Sequence, residues 1–315
     1  MLTNKKISVV TPCYNDGGCV LEMHRRVTEA MKEISPNYEI IYVNDHSPDN
    51  AMEILRELAK KDKRVIVISH SRNFGNQAAY TTGLRYSTGE AVITIDGDIQ
   101  DPPEIFPEFV KKWLEGYRVV YGSRTKREAG FLKKTVYKIF YRVLKNLSYV
   151  DIPLDAGDFA LMDRKVLDII NNDFQEVNRF IRGMRAYVGF RSFGIPYTHS
   201  KRFAGRGNFS FLGYVRFAKK LILSFSFKPL EWISYFAGLV TIFAVLAVII
   251  YIPLAILMPA FREFLTILTI VLFLGAVQLL SLSAIAEYLA IVFEEVKHRP
   301  MGIVEEIIND YKNEG

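Results

Sequence analysis

Short apolar runs alternate with amphipathic stretches through the first 125 residues. Ile7–Thr11, Glu39–Asn44, Val65–Ser69, Ala91–Ile95 and Arg118–Gly122 read as strands. Between them, helical periodicity covers roughly 18–34, 49–61, 75–86 and 104–115. Asp49 is placed to cap the second helix, and Pro102-Pro103 introduces the fourth. Strands separated by helices of this length imply right-handed crossovers and a mainly parallel sheet, hence an α/β, Rossmann-like domain. Ligands of such sheets gather at the carboxyl ends of the strands, so the polar residues following each strand are the ones to examine.

The last third follows another pattern. From Trp232 to Phe293 the only charged residues are Arg262, Glu263 and Glu287. Residues 232–258 and 264–291 are each long enough to cross a hydrocarbon core of about 30 Å, with Pro259–Glu263 as a tight turn between them. Lys219, Lys220 and Lys228 precede the pair, and Lys297 and Arg299 follow it, which predicts that both termini and the N-terminal domain lie on the cytoplasmic face of a cell (inner or plasma) membrane. Aromatic and basic residues mix over 209–230, as in a helix lying in the membrane surface. The expected organisation is a cytosolic domain over 1–208, a juxtamembrane segment over 209–230, a two-helix transmembrane hairpin over 231–293 and a cytosolic tail over 294–315.

Charge narrows the partners. The net charge is +6; eleven Lys or Arg and no acid lie between Arg179 and Lys228, and nine basic residues face the single acid Glu128 between Arg118 and Lys145. Such a field suits phosphorylated substrates and an anionic lipid surface. No nucleic-acid motif accompanies it, so nucleic acid is set aside. Cys13 and Cys19 match neither a zinc pattern nor a disulfide framework, and the apolar run Ile7–Val10 is too short for a signal-peptide core.

The most informative segment is Ile95-Asp96-Gly97-Asp98-Ile99-Gln100-Asp101-Pro102-Pro103. Read as an extended continuation of the strand, it points Asp96, Asp98 and Gln100 the same way, toward one hard cation such as Mg2+ or Mn2+. A cation there would neutralise the diphosphate of a nucleotide sugar. Thr11-Pro12-Cys13-Tyr14-Asn15 ends the first strand, where a base or ribose would rest. Asn44-Asp45-His46-Ser47 ends the second, and the Asp45 carboxylate would accept from a base ring N–H. Neither G-x-G-x-x-G nor a P-loop is present, which argues against a dehydrogenase or a nucleotide triphosphatase.

Together these segments resemble glycosyltransferase family 2. The matching residues are Val-Val-Thr-Pro-x-Tyr-Asn at 9–15, Val-Asn-Asp-His-Ser-x-Asp at 43–49, Arg72-Asn73-Phe74-Gly75 and Asp-Gly-Asp-x-Gln-Asp-Pro-Pro at 96–103. The hairpin narrows the likeness to polyprenyl-phosphate glycosyltransferases, of the dolichol-phosphate mannose synthase and GtrB-like undecaprenyl-phosphate glucosyltransferase kinds. The resemblance implies a GT-A fold and inversion without a covalent intermediate. It also implies Asp45 on the base, Asp96 on the nucleotide, and Asp98 with Gln100 on the metal. Arg124 in Gly122-Ser123-Arg124 would meet phosphate with Lys126 and Arg127. Asp158 in Asp155-Ala-Gly-Asp-Phe159 would lie near the acceptor in a base-like role. Arg202 and Arg206 would belong to a mobile basic loop closing over the phosphates, and the relatives suggest a homotetramer.

A lipid phosphate is already an anion at neutral pH, so its attack on an anomeric carbon needs no strong base. Bringing two anions together is the harder task, which ranks Arg124, Arg202 and Arg206 above Asp158. The sequence therefore points to hexose transfer, with glucose from UDP-glucose first and GDP-mannose second, onto polyprenyl phosphate for cell-envelope glycan modification. A processive polysaccharide synthase fits less well, because Gln175–Phe180 lacks the Q-x-x-R-W spacing and the Trp. A scaffold retaining a dead transferase domain would not need the acidic cage.

Overall fold

The computed structural model describes residues 1–126, 153, 156–177, 179–200 and 261–309, with isolated helical residues between 233 and 249. The chain divides into two units. One comprises Met1–Lys145, Val150–Tyr214 and Arg299–Gly315, and the other Asn146–Tyr149 and Val215–His298.

The first unit is built on an eight-stranded sheet. Its strands are β1 (Ile7–Cys13), β2 (Tyr38–Asn44), β3 (Val65–His70), β4 (Ala91–Thr94), β5 (Val119–Lys126), β6 (Ala156–Asp163), β7 (Ser192–Thr198) and β8 (Val304–Ile308), in the order β7-β5-β6-β4-β1-β2-β3-β8. The helices are α1 (Gly17–Ile34), α2 (Ala51–Lys61), α3 (Asn76–Tyr86), α4 (Phe106–Leu114), α5 (Arg164–Asn172) and α6 (Ile181–Tyr187). The pairs β1–β2, β2–β3, β1–β4 and β5–β7 are parallel, whereas β4–β6, β5–β6 and β3–β8 are antiparallel. The mainly parallel α/β sheet expected from the alternation is thus present.

Both faces are covered, which is why β1 to β3 are buried at every position and carry apolar residues on both faces instead of alternating strictly. Val9, Ile40 and Val67 pack under α1, α2 and α4 with Met23, Leu55 and Phe109. Val10, Ile41 and Ile68 pack on the other face with Tyr80 and Leu84 of α3, Leu167 of α5 and Met184 of α6. Phe159 anchors β6, its ring 4.9 Å from Phe109, 5.9 Å from Phe106 and 5.5 Å from Tyr197. Strand alternation then turns its neighbour Asp158 to the opposite face.

Several boundaries differ from the sequence reading. Helix α2 starts at Ala51, because Asn50 is the cap residue and Asp49 instead accepts from Ala51 N at 3.1 Å and Gly17 N at 2.8 Å. The segment over 294–315 is not a bare tail. It finishes a helix and then supplies β8, whose Ile308 and Ile307 pair with Val67 and Ile68. The cytosolic domain expected over 1–208 therefore includes a strand from the far end of the chain.

In the second unit, α7 runs from Phe261 to Val296. It begins inside the turn expected at 259–263 and runs past Ile291. Its stretch Phe273–Val296 contains an 18-residue window of mean hydropathy 1.8 and has the length to cross a membrane. Leu279, Leu280 and Leu289 on it are exposed. The span expected at 232–258 and the juxtamembrane segment at 209–230 lie, but for isolated helical positions, outside the described residues.

Candidate active site

The strand order places a topological switch point between β1 and β4: the chain winds outward through β2 and β3, then returns to the other side of β1. Ligand crevices in α/β sheets open at the carboxyl side of this point, and there the sequence motifs converge. Gly97 follows β4 so closely against the end of β1 that a Cβ would lie 2.7 Å from the Pro12 carbonyl oxygen. A side chain would separate the two strand ends. The turns after β1, β2 and β4 each contain a non-glycine residue with positive φ, namely Asn15 (58°), His46 (54°) and Ile99 (60°). For a β-branched residue such as Ile99 this conformation is costly, and strain of this kind concentrates at functional sites.

Ile99 also corrects one expectation. Residues after Ile95 turn instead of continuing the strand, so the same-side alternation expected for Asp96, Asp98 and Gln100 does not apply. The acids are brought together by the turn. Burial pushes the Asp96 carboxyl up to about 7, reinforced by the charges of Asp101, Asp158 and Asp98 and opposed by the hydrogen bond from Tyr80. Asp96 Oδ1 accepts from Tyr80 Oη at 2.8 Å and from Asn76 Nδ2 at 3.3 Å, both in the first two turns of α3. Asp98 Oδ1 accepts from Gln100 N at 3.2 Å, and the Gln100 amide donates to Ser200 O at 3.1 Å.

The turns after β1 and β2 are laced together. Asn15 N donates to Ser47 Oγ at 2.8 Å, Ser47 Oγ to Asp49 Oδ1 at 2.6 Å, and Tyr14 N to Asp16 Oδ2 at 3.4 Å. Asp45 is buried and organises the loop after β3. Its Oδ1 accepts from His70 Nδ1 at 2.8 Å and Phe74 N at 2.9 Å, and its Oδ2 accepts from Gly75 N at 2.7 Å. Burial alone would raise its carboxyl; these hydrogen bonds outweigh it and hold the group below its ordinary value. Gly75, at φ 96°, caps α3.

Across the crevice, Asp158 Oδ2 accepts from Gln77 Nε2 at 3.2 Å, and Arg182 Nε stands 3.8 Å from Oδ1. Arg185, buried beside them, donates to Gly157 O at 3.1 Å, and its burial lowers the guanidinium to about 10. Arg124 donates from Nε to Tyr197 Oη at 3.0 Å and lies 3.5 Å from Asp101 Oδ1. Tyr197 and His199 also bind Asp101. Sequence reasoning missed Gln77, Tyr80, Asp101 and Arg182 as site residues. Asp101 was visible in the motif, whereas the other three sit on helices whose facing the sequence left open. Arg202, Arg206 and Arg127 lie outside the described residues.

A cavity of about 540 Å³ lined by Lys5, Glu90, Trp113 and Arg118 lies at the opposite ends of β1 and β4. Its walls are bridged by the Lys5–Glu90 and Arg118–Asp163 ion pairs, and it gathers none of the motif residues.

A model of the family described as "Glycosyl transferase family 2" matches residues 8–170, which include the carboxyl ends of β1 to β6 and leave β7 and β8 outside. The chain belongs to glycosyl transferase family 2. Similarity to individual relatives covers nearly the whole chain. An uncharacterized glycosyltransferase of Bacillus subtilis is 40% identical over 95% of this chain and 93% of its own length. The bactoprenol glucosyl transferase of Shigella phage SfV is 34% identical over 95% of this chain and 98% of its own. Among solved structures, glucosyl-3-phosphoglycerate synthase from Mycobacterium tuberculosis matches at 18% identity and a TM-score of 0.45, covering 70% of this chain and 78% of that one.

Proposed function

We propose that the protein transfers glucose from UDP-glucose to a polyprenyl phosphate, with inversion, at the cytoplasmic face of a membrane. The observation that carries this reading is the gathering of Asp96, Asp98 and Asp158 at the switch point, with the base-side carboxylate Asp45 tied to the same helix, α3. The full-length likeness to bactoprenol glucosyl transferases supports the sugar and the acceptor class.

In this reading a phosphate oxygen of the lipid attacks the anomeric carbon while that carbon's bond to the donor β-phosphate breaks, and UDP leaves. No proton has to be removed from the nucleophile, so Asp158 orients the acceptor in place of deprotonating it. Arg124, Arg202 and Arg206 reduce the repulsion between the two anions.

A divalent cation, Mg2+ or Mn2+, fits the donor set. Asp96, pushed up to about 7 by burial and then by the neighbouring charges of Asp101, Asp158 and Asp98, would be stabilised in its ionised form by a positive charge. No cluster of three or more His, Cys, Asp or Glu side chains suited to a metal occurs among the described residues. Asp96, Asp98 and the Gln100 amide oxygen would hold it together with donor phosphates, since Mg2+ is commonly bound through one or two carboxylates plus substrate phosphates. When bound, the cation neutralises the leaving diphosphate.

The pairing of β8 with β3 supports a hairpin: a chain that returns to the sheet after an apolar segment has crossed any bilayer an even number of times. Assembly as a homo-oligomer, a tetramer by family resemblance, completes the proposal. Membranes containing the protein, given radiolabelled UDP-glucose and undecaprenyl phosphate, should yield a chloroform-soluble, metal-dependent product. Label found only in water-soluble polymer would point to a synthase instead.

A further inference from the structure

The C-terminal strand does more than cover an edge. β3 would otherwise expose a row of unpaired backbone groups, and β8 caps it. Arg56 pairs with Glu306, and Asn309 Nδ2 donates to Ala59 O and Val65 O, both at 2.8 Å. At the site end the register shifts between Ser69 and His70, and Ser71 N donates to Ile303 O at 3.0 Å. That shift lays Gly302 directly on the His70 ring. A Cβ on Gly302 would lie 2.8 Å from His70 Nε2, 3.0 Å from Cε1 and 3.1 Å from Thr82 Oγ1.

His70 is fully buried, and both its ring nitrogens are engaged. Nδ1 meets Asp45 Oδ1 at 2.8 Å, and Nε2 meets Thr82 Oγ1 at 2.9 Å. An ionised carboxylate only accepts, so Nδ1 carries the proton in the Asp45 bond; the Thr82 hydroxyl complements Nε2 in either state. From Asp45 the hydrogen bonds continue to Phe74 N and Gly75 N at the cap of α3. The first two turns of α3 then hold the reacting side of the crevice, through Asn76 and Tyr80 to Asp96 and through Gln77 to Asp158. Among the described residues Asp45 Oδ2 accepts from Gly75 N, and a carboxylate oxygen has capacity for a second donor such as a base N–H.

We propose that β8 is a working part of the donor site, with Gly302 and His70 as positioning residues that set the Asp45 carboxylate and the N-terminus of α3. The last segment of the chain, separated in sequence from the other strands by the apolar helix, completes nucleotide recognition. This rests on the donor-site reading of Asp45. If that reading fails, the wild-type protein binds no UDP. If only the present inference fails, the wild type binds UDP and the variants below bind it equally well.

The test uses full-length protein in detergent or nanodiscs, with UDP affinity measured by calorimetry in the presence of Mg2+ and KM measured separately for UDP-glucose and undecaprenyl phosphate. Gly302→Val displaces His70 and should weaken UDP binding roughly tenfold, since small misplacements of site groups cost one to two orders of magnitude. The KM for the lipid should stay unchanged. Gly302→Ala should show the same effect at smaller size. His70→Ala should match Gly302→Val, and His70→Asn, which restores an N–H toward Asp45, should recover part of the loss. Arg56→Ala loosens β8 far from His70; it should lower Tm and leave UDP affinity intact. If Gly302→Val does not fold, Gly302→Ala and the His70 pair decide. Unchanged UDP affinity in Gly302→Ala and His70→Ala would overturn the proposal, as would equal losses in donor KM, lipid KM and UDP affinity across all variants including Arg56→Ala.

Discussion

Gln77 grips Asp158 with one end of its amide and the backbone of α6 with the other: Nε2 donates to Asp158 Oδ2 at 3.2 Å, and Oε1 accepts from Ile181 N at 2.9 Å. The carboxylate is thereby fixed between α3 and β6, with Arg182 close by. A group held this way orients a substrate better than it shuttles protons. Gln77→Ala should lower kcat roughly tenfold while donor KM stays within about twofold, because orientation is lost and nucleotide contacts remain. Asp158→Asn should retain more activity than Arg202→Ala in steady-state assays. The reverse order would restore Asp158 as a general base.

Asp96 carries a pH signature. Its folded-state pKa, pushed up to about 7 from 3.8, means the folded metal-free protein holds a proton that the unfolded chain releases. That contribution to stability is complete below the unfolded value and is lost as pH rises through about 7. Asp96→Asn should therefore raise the Tm of metal-free protein above neutral pH while abolishing transfer. A thermal scan showing no gain at alkaline pH would contradict the cost of ionising a carboxyl buried beside other acids.

Tyr80 pulls the other way, since its hydroxyl stabilises ionised Asp96. Tyr80→Phe should shift the pH at which Mn2+ activates transfer upward and leave the activated rate at high pH near that of wild type. Titration of activity against Mn2+ at several pH values checks this.

Asp45 has the opposite sign. Its lowered folded pKa contributes stability above the unfolded value of 3.8, and that contribution disappears as pH falls through the folded value. Asp45→Asn should cost about 1–3 kcal/mol in urea unfolding at neutral pH, the cost of leaving buried donors poorly met. The gap to wild type should close in strong acid.

The core strands, their alternating helices and the motif-bearing strand ends were legible because β1 to β4 are buried on both faces and bounded by polar turns. What was hidden has a physical cause in each case. β6 enters the sheet antiparallel between β4 and β5, an arrangement set by long-range packing of Phe159 on Phe106 and Phe109, which periodicity does not register. β8 is a short run, Val304–Ile308, that pairs across most of the chain length. The Asp96–Gln100 segment reads as extended only from its place directly after an apolar strand, whereas Asp-Gly-Asp is turn composition, and the chain turns there with Ile99 in a left-handed conformation. Gln77 and Tyr80 became visible as site residues only once α3 was seated on the sheet.

The proposed reaction is glucosyl transfer to a lipid phosphate at the Asp96–Asp98 site. A donor panel settles it most directly: purified protein, undecaprenyl phosphate and Mg2+ or Mn2+, with labelled UDP-glucose, UDP-galactose and GDP-mannose in parallel, reading label in the organic phase. UDP-glucose should give the fastest lipid product, and chelation or Asp98→Ala should remove it. Failure of every donor to label the lipid, or full activity of Asp98→Ala, would contradict the account.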